Sequence, residues 1–332
     1  MYKIAKLDTE DRRALFHNTA AKLHLNDAIV EKDFWVCLML DYLFHRCLYK
    51  DAFTFKGGTS LSKAWHIIER FSEDVDLILD WRVLGYTVEE PWEERSNKQQ
   101  DLFNKEANVQ AERFIRDKLV PILKEDLPGM LGIEADISIN IHEPQTIDFN
   151  YPHIFDSPAI LQAIRLEIGP LASWTPAQNV EIIPYSAEQY PFVFVQKSTH
   201  ILTVLPERTF WEKATILHHE AHRPETSVMP ARYSRHYYDL YCLAHSYVKG
   251  RAFSNLTLLR KVVDFKKKFY PRGWAKYDEA KPGTICLMPP AHNLKVLESD
   301  YKKMSEMIYG PRPDFDSLMH YVKQLEDEIN AL

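Results

Sequence analysis

A glycine turn in the first third of the chain has the composition of an anion-binding site. The strand-like run Asp51–Lys56 stops at two adjacent glycines, and a helix is predicted over Thr59–Arg70. Adjacent glycines let a ligand approach the backbone closely, and the N–H groups at a helix N-terminus attract anions. The turn therefore offers a set of candidate phosphate-binding residues, which are Gly57, Gly58, Thr59 and Ser60.

Two carboxylates follow fifteen residues after Thr59. The run Asp74–Asp80 alternates like a β-strand, so Asp74 and Asp76 are expected on one face, where they could bind hard cations such as Mg²⁺. Each motif alone has a plainer explanation: the carboxylates could lie on a solvated strand face, and the glycines could form an ordinary turn. The glycines do not form a P-loop, because no P-loop lysine follows them. Their order and spacing together favour metal-assisted phosphoryl or nucleotidyl transfer.

The segment KGGTSLSKAWHIIERFSEDVD resembles the signature of the DNA polymerase β-like nucleotidyltransferase superfamily. More narrowly, it resembles the AbiEii/AbiGii toxin family of bacterial toxin–antitoxin and abortive-infection systems. Further segments similar to that family are EKDFWV, AIRLEIG, the helix around Lys213 and SRHYYDLYCL. The resemblance extends over roughly residues 25–250, which is most of the chain.

The resemblance implies an enzyme that transfers a nucleoside monophosphate from an NTP to a hydroxyl and releases pyrophosphate. The acceptor in this family can be the 3′ end of tRNA, and a separate antitoxin protein neutralises the toxin. Two Mg²⁺ ions would serve the reaction, with Mn²⁺ as the alternative metal. By this resemblance, Gly57–Ser60 would hold the nucleotide phosphates, and Asp74 and Asp76 would be metal ligands.

The resemblance assigns roles to three further residues, and each has a plainer alternative. Glu167 would be the third carboxylate, a metal ligand that activates the acceptor hydroxyl; alternatively, it forms an edge-strand salt bridge with Arg165, which shares its face. Lys213 would face the triphosphate, or it is a surface lysine whose stem is buried. Asp239 matches a charged helical motif of the family, as Arg235 does. It would orient Lys213 or the acceptor; alternatively, it tethers two helices.

Two other patterns could carry a function, and each also has a plainer explanation. The run HHEAH places His218 and His222 four residues apart, but the glutamate does not directly follow the first histidine as a zincin requires. A polar helix end with partly exposed histidines is therefore expected. Residues 260–277 combine lysines and arginines with aromatic residues, which could hold an RNA backbone and stack a base. The alternative there is a solvated helix end with inward-packed aromatic rings.

The pattern of elements predicts an α+β fold that positions these residues. Two opening helices, over about 10–23 and 27–47, are expected to pack on a mixed sheet of polymerase β-like type. Strands are predicted at 51–56, 74–80, 133–141, 147–154 and 163–168, and more weakly at 180–183 and 192–195. We expect a nucleotidyltransferase domain over 1–204 with a helical insertion at about 89–126, and a mostly α-helical domain over 205–332. The nucleotide is expected in the cleft between them.

Composition restricts the classes of function. The chain has 332 residues, 45% hydrophobic and 27% charged, with a net charge of -6, which argues against bulk non-specific nucleic-acid binding. Its four scattered cysteines do not predict a disulfide framework, and no apolar run approaches membrane-spanning length. A cytoplasmic protein without membrane association is expected. The rival functions are a phosphotransferase or a protein nucleotidylyltransferase on the same fold, and a non-catalytic nucleotide-binding protein.

Overall fold

The structure is a computed structural model that describes residues 1–72, 74–158, 160–173 and 175–332, apart from the side chain of Glu306. Its contacts divide the chain into two compact units. Unit 1 consists of Met1–Ala64 and Phe71–Val204, and unit 2 consists of Trp65–Arg70 and Leu205–Leu332. The short segment that precedes the carboxylate motif in sequence therefore belongs to the second unit.

Unit 1 is built on a seven-stranded sheet with the order β3-β4-β5-β2-β1-β7-β6. The strands are β1 (Phe53–Lys56), β2 (Asp74–Leu79), β3 (Asp136–Ile139), β4 (Thr146–Asn150), β5 (Ile164–Gly169), β6 (Ala177–Ile182) and β7 (Thr199–Val204). The pairs β1–β7 and β2–β5 are parallel and the others are antiparallel. The predicted α+β fold with a mixed sheet is confirmed.

Within the described residues of unit 1 there are seven α-helices, and local signals in the sequence explain where several of them begin. They are α1 (Tyr2–Ala5), α2 (Thr9–Leu23), α3 (Asp27–His45), α4 (Gly57–Lys63), α5 (Asn97–Phe114), α6 (Val120–Leu131) and α7 (Tyr185–Gln189). The Asp8 carboxylate accepts the Asp11 N–H at 2.8 Å and caps α2, as its position predicts. Ser96 and Gln99 form a capping box that starts α5, and a single π-helical turn over Ile115–Leu119 leads into α6.

The apolar face of the sheet is covered by α3. This helix is buried along almost its whole length, as expected for a helix that is apolar all round. The Trp35 ring meets Phe149 of β4 edge to face, with ring centroids 6.2 Å apart. Phe55, Leu77 and Ile168 lie in register on neighbouring strands, and each is buried. Burial of this face leaves the opposite face for polar residues.

Unit 2 is helical in the residues described. Its helices are α8 (Pro206–Ala221), α9 (Ser234–Ala244), α10 (Val248–Phe253), α11 (Leu256–Phe269), α12 (Leu294–Lys303) and α13 (Phe315–Asn330). The sequence pattern predicts helices over 207–222, 233–247, 254–268 and 313–331, which correspond to α8, α9, α11 and α13, and it misses the two shortest, α10 and α12. In the part of the chain that the structure describes, no helix is long and apolar enough to cross a membrane.

Two predicted elements are wrong. The helix expected over Thr59–Arg70 ends at Lys63, because the chain continues through His66, which has a φ of +51°, into a segment that packs in unit 2. The weak strand expected over Phe192–Val195 is a 3-10 turn at Pro191–Val193, whose Phe192 is 98% exposed. The strand between β1 and β6 is β7, which the sequence pattern does not predict.

Candidate functional site

The polar face of the sheet gathers the carboxylates that the sequence predicts. Asp74 and Asp76 are half-buried on β2, and the residues between and after them are buried on the opposite face. In the parallel β2–β5 pair, Asp76 is in register with Glu167 and Asp74 is in register with Arg165. Since partners in register point to the same face, Asp76 and Glu167 are neighbours on adjacent strands. The sheet register brings together residues that are about 90 positions apart in sequence.

Gly57 leaves the space that the Asp76 carboxylate fills. Its φ is +79°, a conformation that favours glycine, and a Cβ at this position would lie 1.8 Å from Asp76 Oδ2. Any other residue would displace the carboxylate or the turn. The two motifs recognised separately in the sequence are therefore in direct contact. This contact explains why α4 must begin with a glycine.

The hydroxyl groups of the turn have partners within the protein. Thr59 Oγ1 donates to the carbonyl oxygen of Asp74, and Ser60 Oγ donates to that of Gly57 at 2.8 Å. Both residues are buried, and Ser60 is fully buried. The Thr59 hydroxyl joins the turn to β2, and the Ser60 hydroxyl forms a bond within the turn. The groups that remain suited to hold phosphate are the backbone N–H groups of Gly57–Ser60, since the first four N–H groups of a helix have no acceptor within it.

Arg165 links two carboxylates on the polar face. Its Nε lies 3.2 Å from Asp148 Oδ1 and 3.9 Å from Asp74 Oδ1. Burial alone would lower the pKa of Arg165, but Asp148 and Asp74 outweigh this effect and raise it. On β1, β2, β4 and β5, the charged residues in register on this face are Lys56, Asp74, Asp76, Asp148, Arg165 and Glu167, four acids against two bases. This part of the face therefore carries a net charge of -2, which suits a cation.

The donor chemistry of this face fits Mg²⁺. Carboxylate oxygens are the ligands that this ion prefers, and it is commonly bound by one or two carboxylates together with substrate phosphates. The carboxylate of Asp76, seated against Gly57, and that of Asp74 meet this requirement. Among the described residues, no three His, Cys, Asp or Glu side chains lie close enough together to hold a metal ion. The three-carboxylate site that includes Glu167 therefore stays a prediction.

Lys213 is held in a buried charge network within unit 2. It lies on α8, where it is 8% exposed, and its Nζ is 2.9 Å from Asp239 Oδ2 and 3.0 Å from His236 Nδ1. Asp239 is fully buried on α9 and also accepts two hydrogen bonds from Arg70, at 2.6 and 2.9 Å. Asp239 therefore forms an ion pair with Lys213 and joins α8 to α9, while its role in orienting Lys213 or the acceptor stays a prediction.

The pKa values of this network follow from burial and from its charges. Burial alone would raise the pKa of Asp239, but Arg70 and Lys213 outweigh it and hold that pKa below its ordinary value. Burial lowers the pKa of Lys213, and Arg70 lowers it further, against the opposing effect of Asp239. The pKa of His236 is well below its ordinary value because of burial and the nearby Lys213. His236 is therefore neutral at pH 7 and accepts a hydrogen bond from Lys213.

Sequence reasoning did not identify two members of this network, Arg70 and His236. Both lie inside motifs that carry the family resemblance, Arg70 just before the carboxylates and His236 in SRHYYDLY. The sequence pattern predicts Arg70 within a helix, and it gives no indication of a contact with a residue 169 positions further on. The available signal was the place of both residues inside motifs that carry the resemblance.

The histidines of HHEAH are structural. His218 is fully buried; its Nδ1 accepts the Cys286 N–H at 3.1 Å and its Nε2 donates to the Lys276 carbonyl at 3.0 Å. Burial lowers the pKa of His218 to about 4. His219 is also buried, at 6% exposure, beside Glu220. The expectation of partly exposed histidines is wrong for these two, because the end of α8 is covered by residues near Lys276 and Cys286.

The comparisons with known proteins assign the chain to a family. The glycine turn lies against Asp76, one of two paired carboxylates on a mixed sheet. This arrangement defines the class of protein, which is a candidate nucleotide- and metal-binding protein. The profile of the family described as "Nucleotidyl transferase AbiEii toxin, Type IV TA system" matches residues 41–321. The match covers most of the chain, which therefore belongs to this family of nucleotidyltransferase toxins of type IV toxin–antitoxin systems. The resemblance stated from the sequence motifs is confirmed.

Solved structures include a similar chain, MenT4, a nucleotidyltransferase toxin from Mycobacterium tuberculosis H37Rv. The TM-score is 0.49 at 14% sequence identity, and the alignment covers 96% of this chain and 98% of MenT4. None of the curated proteins compared with the chain matches it.

Proposed function

We propose that this protein transfers a nucleoside monophosphate from an NTP to a hydroxyl group of RNA, with the 3′ end of tRNA as the acceptor. Transfer would use two Mg²⁺ ions, which Mn²⁺ could replace, and would release pyrophosphate. The modified tRNA could not be aminoacylated normally, so translation in the cytoplasm would stop until the antitoxin neutralises the toxin. This outcome would serve abortive infection.

The observation that carries the proposal is the contact between the glycine turn and Asp76. Phosphate-binding N–H groups and a metal-binding carboxylate have to be adjacent, because a metal held by the carboxylate would neutralise charge on the bound phosphates. Gly57 and Asp76 satisfy this requirement, since the carboxylate occupies the position of the missing Cβ. Glu167, in register with Asp76, supplies a third carboxylate on the same face.

Each residue of the proposed site has a distinct role. Bound Mg²⁺ would neutralise the charge that develops on the transferred phosphate. Asp74 and Asp76 would hold the metal, Glu167 would hold a second ion and accept the proton of the acceptor hydroxyl, and Lys213 would bind the triphosphate. Asp239 would position Lys213 through their 2.9 Å ion pair. The predicted domains, a nucleotidyltransferase domain over 1–204 and a helical domain over 205–332, are part of this proposal.

A labelling experiment with two positions of the label tests the reaction. Purified protein is incubated with Mg²⁺, total bacterial RNA and each NTP in turn, labelled either at the α- or at the γ-phosphate. Transfer of a nucleoside monophosphate puts α-label on a tRNA-sized band and leaves γ-label in pyrophosphate. Label from the γ-position on RNA would establish a phosphotransferase instead, and α-label on protein would establish a protein nucleotidylyltransferase; either result contradicts the proposal.

A variant at Glu167 tests the third carboxylate in the same assay. We expect Glu167→Gln to lose α-label transfer while NTP binding, measured by equilibrium dialysis, is retained. Glu181→Gln is the matched control, because it makes the same replacement on β6, which does not neighbour β2 or β5. If Glu167→Gln transfers label at the wild-type rate, Glu167 is only a structural residue of β5.

A further inference from the structure

Positive charge is concentrated in one segment of unit 2. The residues from Arg260 to Lys281 include eight lysines and arginines against three acidic residues, a net charge of +5. The whole chain has a net charge of -6, so the rest of the protein is acidic. We call these eight residues the basic surface; they are Arg260, Lys261, Lys266, Lys267, Lys268, Arg272, Lys276 and Lys281.

The helix α11 has a buried apolar side and an exposed side that carries several residues of the basic surface. Leu258, Val262, Phe265 and Phe269 recur at helical spacing on its buried side. The opposite side exposes Arg260, Lys261 and Lys267, and Lys268 is half-buried. The cations of α11 therefore lie on a solvent-facing side that the apolar residues fix in orientation.

The loop after α11 extends the same surface. An ion pair between Lys267 and Asp278 ties residues 270–281 to the end of α11. Within this loop Arg272 is exposed, and its guanidinium lies 5.8 Å from the centre of the Trp274 ring. Tyr270, at the start of the loop, is 50% exposed. An exposed tyrosine thus lies in sequence between the cations of α11 and Arg272.

We infer that the basic surface binds the phosphate backbone of the acceptor RNA and that Tyr270 stacks on an unpaired base. A net positive charge on an acidic protein attracts a polyanion to one place and repels it elsewhere. Exposed aromatic rings among cations are the common arrangement for holding single-stranded RNA, because every base has a face that can stack. This inference rests on the proposed function, since it names the surface that recruits the acceptor.

The test measures binding of RNA separately from catalysis. The triple variant Arg260→Gln, Lys261→Gln, Arg272→Gln removes three positive charges from the basic surface. The matched control, Lys98→Gln, Lys118→Gln, Lys124→Gln, removes three exposed lysines of unit 1. Filter binding with labelled total bacterial tRNA gives the Kd of each protein over a series of salt concentrations, and thermal melting checks folding.

The expected result is a Kd that rises about 10- to 100-fold for the triple variant and less than twofold for the control. Each lost phosphate contact reduces the slope of log Kd against log salt by about 0.7 to 0.9, so three lost contacts reduce it by about 2 to 3. Tyr270→Ala is expected to weaken binding about tenfold with an unchanged slope, since stacking involves no counterion release. Equal losses in the triple variant and the control would overturn the inference, as would an unchanged Kd in the triple variant.

Kinetics then separate this inference from the proposed function. In the α-label assay the triple variant should raise KM for tRNA and leave KM for the NTP unchanged. If the wild-type protein labels no RNA, the proposed function fails, whatever the binding data show. If the wild-type protein labels tRNA and the triple variant has the same KM for tRNA, the proposed function stands and the basic surface has another partner, such as the antitoxin.

Discussion

Replacing Gly57 by alanine tests whether the glycine turn places the Asp76 carboxylate. An added Cβ would lie 1.8 Å from Asp76 Oδ2, whereas ordinary van der Waals contact begins at 3.4 Å, so the oxygen must move by about 1.6 Å. A displacement of about 1 Å in a reacting geometry can reduce the rate by on the order of 100-fold. We therefore expect Gly57→Ala to lower kcat/KM for α-label transfer by at least about 100-fold.

Gly85→Ala is the matched control, because it has the backbone strain without the clash. Gly85 has a φ of +97°, and nothing lies within 4 Å of an added Cβ. An alanine in this left-handed region costs about 1–2 kcal/mol at either position. Each kcal/mol lowers Tm by about 2–4 °C in a unit of this size. Both variants should therefore melt a few degrees below the wild type, and only Gly57→Ala should lose activity.

Two results would refute this reasoning. Wild-type transfer by Gly57→Ala would show that the position of Asp76 against the turn does not matter for the reaction. Equal loss of activity in Gly85→Ala would show that the effect comes from strain or general destabilisation and not from the carboxylate.

Three further predictions follow from the buried network and from the proposed metal site. Arg70→Ala leaves the Asp239 carboxylate without two of its hydrogen bonds and should lower the free energy of unfolding in urea by about 3–5 kcal/mol. Arg70→Lys should restore part of this loss. A change below about 1 kcal/mol for Arg70→Ala would contradict the network. Because the pKa of Asp239 is held below its ordinary value of 3.8, its contribution to stability is present above that pH and is lost as the pH falls further. The free energy of unfolding of the wild type should thus decline more steeply below pH 4 than that of Asp239→Asn, and parallel curves would be inconsistent with this explanation. Finally, EDTA should abolish α-label transfer, and added Mg²⁺ or Mn²⁺ should restore it; full activity in EDTA would exclude the proposed metal dependence.

Local patterns predicted the carboxylate strand and the glycine turn well, because both depend on short-range chemistry. Alternation alone places Asp74 and Asp76 on one face, and β2 has this arrangement. A glycine pair ends β1 and starts α4 as expected. The sequence could not show that Gly57 touches Asp76, since this contact depends on how β1 and β2 pair.

The remaining errors come from long-range contacts. The helix after the turn ends at Lys63. The Lys63 Nζ forms a buried ion pair with Asp33 Oδ1 at 2.7 Å. Beyond it, Arg70 leaves the helical pattern to bind Asp239. No local propensity encodes either partner, so the length of α4 and the position of Arg70 could not be predicted.

The hydroxyls of Thr59 and Ser60 illustrate a second limit of sequence reasoning. Residue type identified them as donors to a ligand, but each donates to a backbone carbonyl in the folded chain. A hydroxyl near a glycine turn serves a ligand or the turn itself, and only the geometry distinguishes the two roles.

The most direct test of the central claim is the rate of α-label transfer to tRNA by Asp76→Asn. The replacement keeps the shape of the side chain against Gly57 and removes the charge that would hold the metal. The control is Asp80→Asn, at a carboxylate that pairs with Arg82 just beyond β2. We expect Asp76→Asn to fold with a Tm near that of the wild type and to transfer no detectable label, while Asp80→Asn stays active. Transfer by Asp76→Asn at a rate close to the wild type would contradict the assignment of this carboxylate to the reaction.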